Sequence, residues 1–346
     1  MKWLVVTLLL AVCLLGLAAF SLSQPYSGFQ NQVFLDIPRG TGTVQLSGLL
    51  AGAGVVRYRW QFLAARTLRP RVTLQAGEYR FREPATALDV LDRIARGDVF
   101  FYELRVPEGN NIFDIADSLD QLGLLPRDGF LEAARDPSLI RDLAPEAPTL
   151  EGYLFPDTYR LTRQTTATEI CRLMTTRFRE AWRSLGVDAP VHRAVTLASL
   201  VEKETGLSEE RAAIASVFHN RLRIGMPLDC DPTTIYAAML EERYRGTIFR
   251  SDLLSRNRYN TYQHSGLPPG PIANPGLESL KAALEPADTP YLYFVARPDG
   301  SGRHQFSSEL DAHNRAVRNY RRGIQEHNQA GGARPVAEGK PARANR

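Results

Sequence analysis

Residues 34–56, FLDIPRGTGTVQLSGLLAGAGVV, and residues 103–125, ELRVPEGNNIFDIADSLDQLGLL, are two versions of one unit. Laid together, Pro38 matches Pro107, Gly40 matches Gly109, Leu46 matches Ile115, Leu50 matches Leu119 and Gly54 matches Gly123. Each copy reads as a short apolar strand, a Pro-x-Gly turn, a helix with apolar residues three or four apart, and a stopping glycine. Between them a strand-like run over 72–79 leads to Thr86 as an N-cap, a helix over 87–95 and Gly97. Strand and helix alternate inside units of some twenty residues, so the class is α+β. Such units are too small to be enzymes, and two copies do not make a solenoid. Docking or spacing suits them; plain packing modules are the alternative.

Ahead of the repeats the sequence changes character. Residues 3–22 carry no charge and are dominated by Leu, Val and Ala. About 20 apolar residues at a helical rise of ~1.5 Å span a ~30 Å hydrocarbon core. Lys2 lies on the short N-terminal side, which puts that end in the cytoplasm. The rival, a cleaved signal peptide, has an apolar region of only about 7–15 residues. An uncleaved single-pass anchor is therefore expected, with the rest of the chain outside the cytoplasm.

Past residue 150 the texture becomes helical. Periodic patterns cover 167–185, 192–205 and 209–223, and later 278–284 and 309–325, with a strand at 291–296. A loop-rich section, 225–275, carries Pro227, Pro232, Pro268, Pro269, Pro271 and Pro275 and is long enough to line a cleft. The domain expectation is an anchor with its cytoplasmic N-terminus at 1–23, small α+β modules at 24–148, a mainly helical domain at 149–327 and a disordered basic tail at 328–346. That tail holds Arg334, Lys340, Arg343 and Arg346, which accounts for much of the net charge of +4. No basic stripe interleaved with aromatics occurs, so no nucleic-acid partner is expected. Cys171 and Cys230 are read as unpaired, with a bridge left open.

The most informative helix is Ala194-Val-Thr-Leu-Ala-Ser-Leu-Val-Glu-Lys-Glu-Thr-Gly206. At ~100° per residue, Leu197, Leu200 and Val201 define an apolar face, and Glu204 falls in its middle. Glu202 falls on the flank, where an exposed carboxylate is expected, and Lys203 points away. Burial disfavours a carboxylate, so Glu204 should stay protonated near neutral pH, the state a general acid needs. The competing reading is a buried Glu paired to an arginine such as Arg211 or Arg221.

Other chemistries lack support. The histidines have no HExxH spacing, and GxSxG, the P-loop and GxGxxG are absent, so no metal or cofactor is expected. Sugar binding has candidates in Tyr259, Asn260 and Tyr262, in Asn220, and in an aromatic set that includes Tyr153. For any one of these aromatics, packing a loop onto the core is the alternative role.

At this point the residues resemble a family. Glu151-Gly-Tyr-Leu-Phe-Pro-Asp-Thr158, Ala198-Ser-Leu-Val-Glu-Lys-Glu-Thr205, Ala215-Ser-Val-Phe-His-Asn-Arg-Leu222, Asp231-Pro-Thr233, Tyr259-Asn-Thr-Tyr262, Ile272-Ala-Asn-Pro-Gly276 and His304-x-Phe306 look like the endolytic murein transglycosylases of the MltG (YceG-like) family. The resemblance implies a single-pass protein of a bacterial inner membrane, with LysM-like modules ahead of a lytic-transglycosylase-like domain in the periplasm. It implies cleavage of nascent peptidoglycan strands between N-acetylmuramic acid and N-acetylglucosamine, 1,6-anhydro ends, termination of glycan elongation, and association with peptidoglycan synthases (penicillin-binding proteins). Its essential glutamate falls on Glu204. One departure is Leu228-Asp-Cys-Asp231, where relatives more often carry Gln-Thr before the aspartate, which leaves the roles of Asp229 and Cys230 open. A muramidase-type hydrolase and a non-catalytic glycan-binding scaffold are the rival functions.

Overall fold

The structure, a computed structural model, describes residues 2–329, so the tail expected at 328–346 lies almost wholly outside the described residues. The fold is a helix-rich α+β arrangement that divides into two compact units. One is Met1–Glu103 with Arg160–Thr165; the other is Leu104–Tyr159 with Thr166–Arg346. The boundary expected near residue 148 therefore falls inside the second unit, and so does nearly all of the second copy of the repeat.

The first unit opens with α1 (Lys2–Ser23), whose stretch Trp3–Ser23 has a mean hydropathy of 2.7 and no buried share. By length and composition it can cross a membrane. Next come β1 (Val33–Ile37), α2 (Thr43–Gly52), α3 (Arg59–Leu68), β2 (Gly77–Phe81) and α4 (Ala87–Arg96). β1 and β2 pair antiparallel from Val33 opposite Phe81 to Ile37 opposite Gly77. Alternation sends Leu35 and Ile37 inward, onto Leu46, Leu50, Phe62, Leu91 and Ile94 from the three helices. Strand β2 starts later than the expected 72–79. Gln75 N–H donates to Ile94 O at the end of α4, which ties the preceding residues to a helix rather than to the sheet. The Thr86 cap is as expected: its hydroxyl accepts from Asp89 N–H at 3.1 Å.

The second unit begins as β3 (Tyr102–Arg105) ends. It contains α5 (Ile112–Gln121) and α6 (Arg127–Arg135), and β4 (Thr158–Leu161) carries the chain briefly back to the first unit. Then follow α7 (Ala167–Ser184), α8 (Val191–Glu204), α9 (Ser208–Arg223), α10 (Asp231–Leu240), α11 (Arg250–Leu253) and α12 (Leu277–Leu284). A hairpin, β5 (Tyr293–Ala296) antiparallel to β6 (His304–Ser307), and α13 (Leu310–Gln329) complete it. The equivalence of the two repeats holds at their turns: Gly40 and Gly109 take φ of +83° and +78°. That left-handed region is open to glycine at no steric cost, which is why Pro-x-Gly recurs.

Helix α8 is the axis of this unit. Every residue from Ala194 to Val201 is buried, because α9, α10 and α12 pack around it. It is a central helix rather than a helix with one apolar face. Its polar members are satisfied within the turn: Thr196 Oγ1 donates to His192 O at 2.7 Å and Ser199 Oγ to Thr196 O at 2.7 Å.

Candidate active site

A buried helix must still end somewhere, and α8 ends on Glu204. Thr205 leaves the helix with extended backbone (φ −147°, ψ 137°), so Glu204 is the last helical residue. There it lines a cavity of about 760 Å³, together with Leu228, Asp229, Asp231, Tyr236 and Tyr262. Its Oε1 accepts a hydrogen bond from Cys230 Sγ at 3.0 Å. Burial raises its pKa from the ordinary 4.5 to about 7; Asp231 adds to the rise, while the Cys230 bond and the Arg221 charge oppose it. The thiol is itself held protonated, since burial and the adjacent Glu204 push the Cys230 pKa well above 9.0. Cys171 and Cys230 are both free and buried.

The two arginines that could have neutralised Glu204 are committed elsewhere. Arg211 pairs with Glu202 at 3.4 Å and Glu108 at 3.6 Å. Arg221 donates to Leu292 O at 2.7 Å and Leu228 O at 2.8 Å, and its nearest carboxylate is Asp229 at 3.9 Å. Among the described residues no ion pair of 4.0 Å or less involves Glu204. The carboxyl is thus desolvated with no directly paired cation among the described residues, which is what separates a poised acid from a structural ion pair.

Glu202 is not the exposed carboxylate expected from its flank position. Its side chain is only 6% exposed, and Oε2 accepts Gly276 N–H at 2.9 Å. The segment that carries Gly276 covers this flank, a contact 74 residues away in sequence that helical periodicity cannot report. Lys203 donates to Gly109 O at 3.2 Å. The three residues Glu202, Lys203 and Glu204 therefore divide the labour: two fasten the helix end and the third meets the cavity.

Of the expected sugar-binding residues, Tyr262 lines the cavity and donates to Asp231 Oδ1 at 2.7 Å. Tyr259 is absent from the lining and packs against Tyr236, ring centroids 5.1 Å apart. Three others have their polar atoms taken up by the protein and are absent from the lining, so they are corrected to supporting positions. Asn260 is wholly buried and donates to Asp252 O, Leu253 O and Ser255 O. Asn220 donates to Thr289 O at 2.8 Å and Tyr291 O at 2.9 Å. The hydroxyl of Tyr153, also wholly buried, bonds His192 Nδ1 at 2.9 Å.

Residues that sequence reasoning did not single out complete the surroundings. Glu151 is buried; Oε2 accepts from Tyr236 OH and Ile112 N–H, both at 3.0 Å, and Oε1 from Asn274 Nδ2 at 3.1 Å. Desolvation raises its pKa to about 8 despite these donors. In the sequence Cys230 stood out as a departure from the family pattern and as an unpaired cysteine, with nothing to connect it to Glu204. Among the described residues no group of three or more His, Cys, Asp or Glu side chains could hold a metal ion.

Known proteins align with this chain over most of its length. The model of the YceG-like family matches residues 35–319. The endolytic murein transglycosylase of Bacillus subtilis is 31% identical over 312 residues, covering 84% of this chain and 85% of the relative. That of Streptococcus pneumoniae strain D39 is 27% identical over 328 residues, but the chain spans only 58% of that relative's length. The crystal structure of a YceG-like protein from Listeria monocytogenes superposes with a TM-score of 0.53 at 31% identity, covering 83% of this chain and 99% of that one. The chain belongs to the YceG-like family.

Proposed function

We propose that this protein is an endolytic peptidoglycan transglycosylase that cleaves nascent glycan strands between N-acetylmuramic acid and N-acetylglucosamine and thereby terminates their elongation. The observation that carries this is Glu204: a desolvated carboxyl with a pKa of about 7 on the wall of a cavity, in no ion pair among the described residues. The names of the bacterial relatives supply the substrate class.

In this reading protonated Glu204 gives its proton to the glycosidic oxygen as the C–O bond breaks and an oxocarbenium-like centre develops. The resulting carboxylate then takes the proton of the muramyl 6-hydroxyl as that oxygen attacks the anomeric carbon. Atoms balance without water, and the product is a 1,6-anhydro end. A pKa of about 7 suits both halves, since the group must lose and regain one proton near neutral pH. Around this core we read 1–23 as a single-pass anchor in the inner membrane with its N-terminus cytoplasmic. Residues 24–148 serve as LysM-like modules and 149–327 as a periplasmic transglycosylase-like domain, working beside the peptidoglycan synthases.

Mass spectrometry of murein digested with the ectodomain tests the product. A terminus one water lighter than the reducing sugar is expected. Reducing ends would replace the reading with a hydrolase, and binding without cutting would replace it with a scaffold.

Cys230 provides a second test. Its thiol stabilises the ionised form of Glu204, so Cys230→Ala should raise the Glu204 pKa, keep the acid protonated to higher pH, and move the alkaline limb of kcat/KM upward by about half a pH unit. Cys230→Ser, a stronger donor, should move the limb down. An unmoved limb in both variants would mean that Glu204 does not set it.

A further inference from the structure

A second polar group on the same cavity is held in a way the proton transfer at Glu204 does not require. His304, the first residue of β6, lines the cavity, and its Nδ1 lies 2.7 Å from Glu210 Oε2 on α9. The same carboxylate accepts the His304 backbone N–H through Oε1 at 2.9 Å and Oε2 at 3.2 Å. Both side chains are about nine-tenths buried, at 12% and 11% exposed. An ionised carboxylate can only accept, so the imidazole proton of this contact sits on Nδ1, and in the neutral ring that tautomer leaves the Nε2 lone pair as an acceptor. Nε2 has no protein partner among the described residues, and it is not among the buried polar atoms that lack one, so it reaches solvent. Beside it stands Phe294, another cavity residue, edge-on to the imidazole at 5.4 Å between centroids. A fixed acceptor next to an apolar aromatic ring is the pairing that recognises a sugar, whose hydroxyls donate and whose C–H face is apolar.

We propose that His304 is a glycan-binding residue of this cavity, accepting a saccharide hydroxyl at Nε2, and that Glu210 is the positioning residue that sets its tautomer and ring orientation. The proposal rests on the reading of the cavity as a glycan site. The mere alternative is a staple that ties the β5–β6 hairpin to α9, a contact spanning 94 residues of sequence.

The test separates the two roles by measuring glycan binding in a Glu204→Gln background of the otherwise full chain, using soluble uncrosslinked murein oligosaccharides as the probe. His304→Asn places an amide donor where Nδ1 stands, so it keeps the bond to Glu210 while removing Nε2 together with the rest of the ring. It should melt like the parent but bind roughly tenfold more weakly, the worth of one hydrogen bond. Glu210→Gln should weaken binding similarly by releasing the tautomer. In the parent, the 15N resonance of His304 Nε2 should show the unprotonated nitrogen of an Nδ1–H tautomer and shift when the oligosaccharide is added. If the Glu204→Gln parent binds no oligosaccharide, the reading of the cavity fails. If it binds and His304→Asn binds equally well with Nε2 gone, the role of His304 fails alone.

Discussion

Replacing Glu204 with Gln should abolish strand cleavage and, in the same variant, make the protein harder to unfold above neutral pH. The first half follows from chemistry: an amide keeps the size and the hydrogen bonding but has no transferable proton, and positioned acid–base catalysis contributes about 10²–10⁴-fold. The second half follows from linkage. The carboxyl titrates near 4.5 when unfolded and near 7 when folded. Between those values the folded chain holds a proton that the unfolded chain has released. Stability from this group is therefore fullest below pH 4.5, falls as pH rises to 7, and stays reduced above it. A separation of that size corresponds to a penalty on the order of 3 kcal/mol. Gln carries no such penalty, so thermal melts of wild type and variant should separate more at pH 8 than at pH 5, with the variant higher. Glu151 titrates in the same sense in both proteins and cancels in the comparison. Full cleavage by the variant would remove Glu204 from the chemistry. A pH-independent difference in melting would remove the desolvation that makes it an acid.

That combination was partly legible in the sequence, and the reason is the range over which each signal acts. Helical period is local, and it located α4, α7, α8, α9 and α12 within one or two residues and set Glu204 apart from Glu202. The paired glycines of the repeats are equally local, since each answers to its own backbone angle. What failed was long-range. Glu202 was expected to be exposed because its cover comes from Gly276, and Asn220 and Asn260 were expected to bind sugar because an amide looks the same whether its partner is a hydroxyl or a distant carbonyl. Helix α10 was hidden by a misread marker. Pro232 was taken as loop punctuation, whereas proline also suits the first turn of a helix, which is where it sits. The cavity partners of Glu204 could not be found for the same reason, since Cys230 reaches it across 26 residues.

Asn274→Ala is expected to cost more stability than any other single truncation of a polar side chain around the site. Asn274 is wholly buried and uses all of its side-chain capacity on the protein. Oδ1 accepts Gly152 N–H and Leu154 N–H, both at 2.9 Å, and Nδ2 donates to Asn110 O at 2.9 Å and Glu151 Oε1 at 3.1 Å. Alanine strands two buried amide hydrogens and takes a donor from a carboxyl that is already desolvated, while Asn110 O keeps the backbone N–H of residue 274. At about 1–3 kcal/mol for each unsatisfied group the loss is roughly 3–6 kcal/mol, a large part of the ~5–15 kcal/mol that holds a domain. At ~2–4 °C per kcal/mol the melting temperature should fall by roughly 6–24 °C. Asn274→Asp sharpens the test, because an ionised aspartate keeps Oδ1 as an acceptor but replaces the donating amide with a second acceptor and places a charge in a wholly buried site beside the protonated Glu151. It should be as damaging as alanine at neutral pH and milder in acid, where the protonated carboxyl can donate again. A melting temperature within two degrees of wild type for both variants would show that these four bonds do not hold the segment. The consequence reaches the chemistry as well, because this segment fastens one face of the last turns of α8. Ile272 N–H donates to Ser199 Oγ at 3.1 Å and Gly276 N–H to Glu202 Oε2 at 2.9 Å, about one and a half turns and about half a turn from the residue proposed to move the proton. Loosening it should lower cleavage even below the melting temperature, while Glu204→Gln lowers cleavage with no loss of fold.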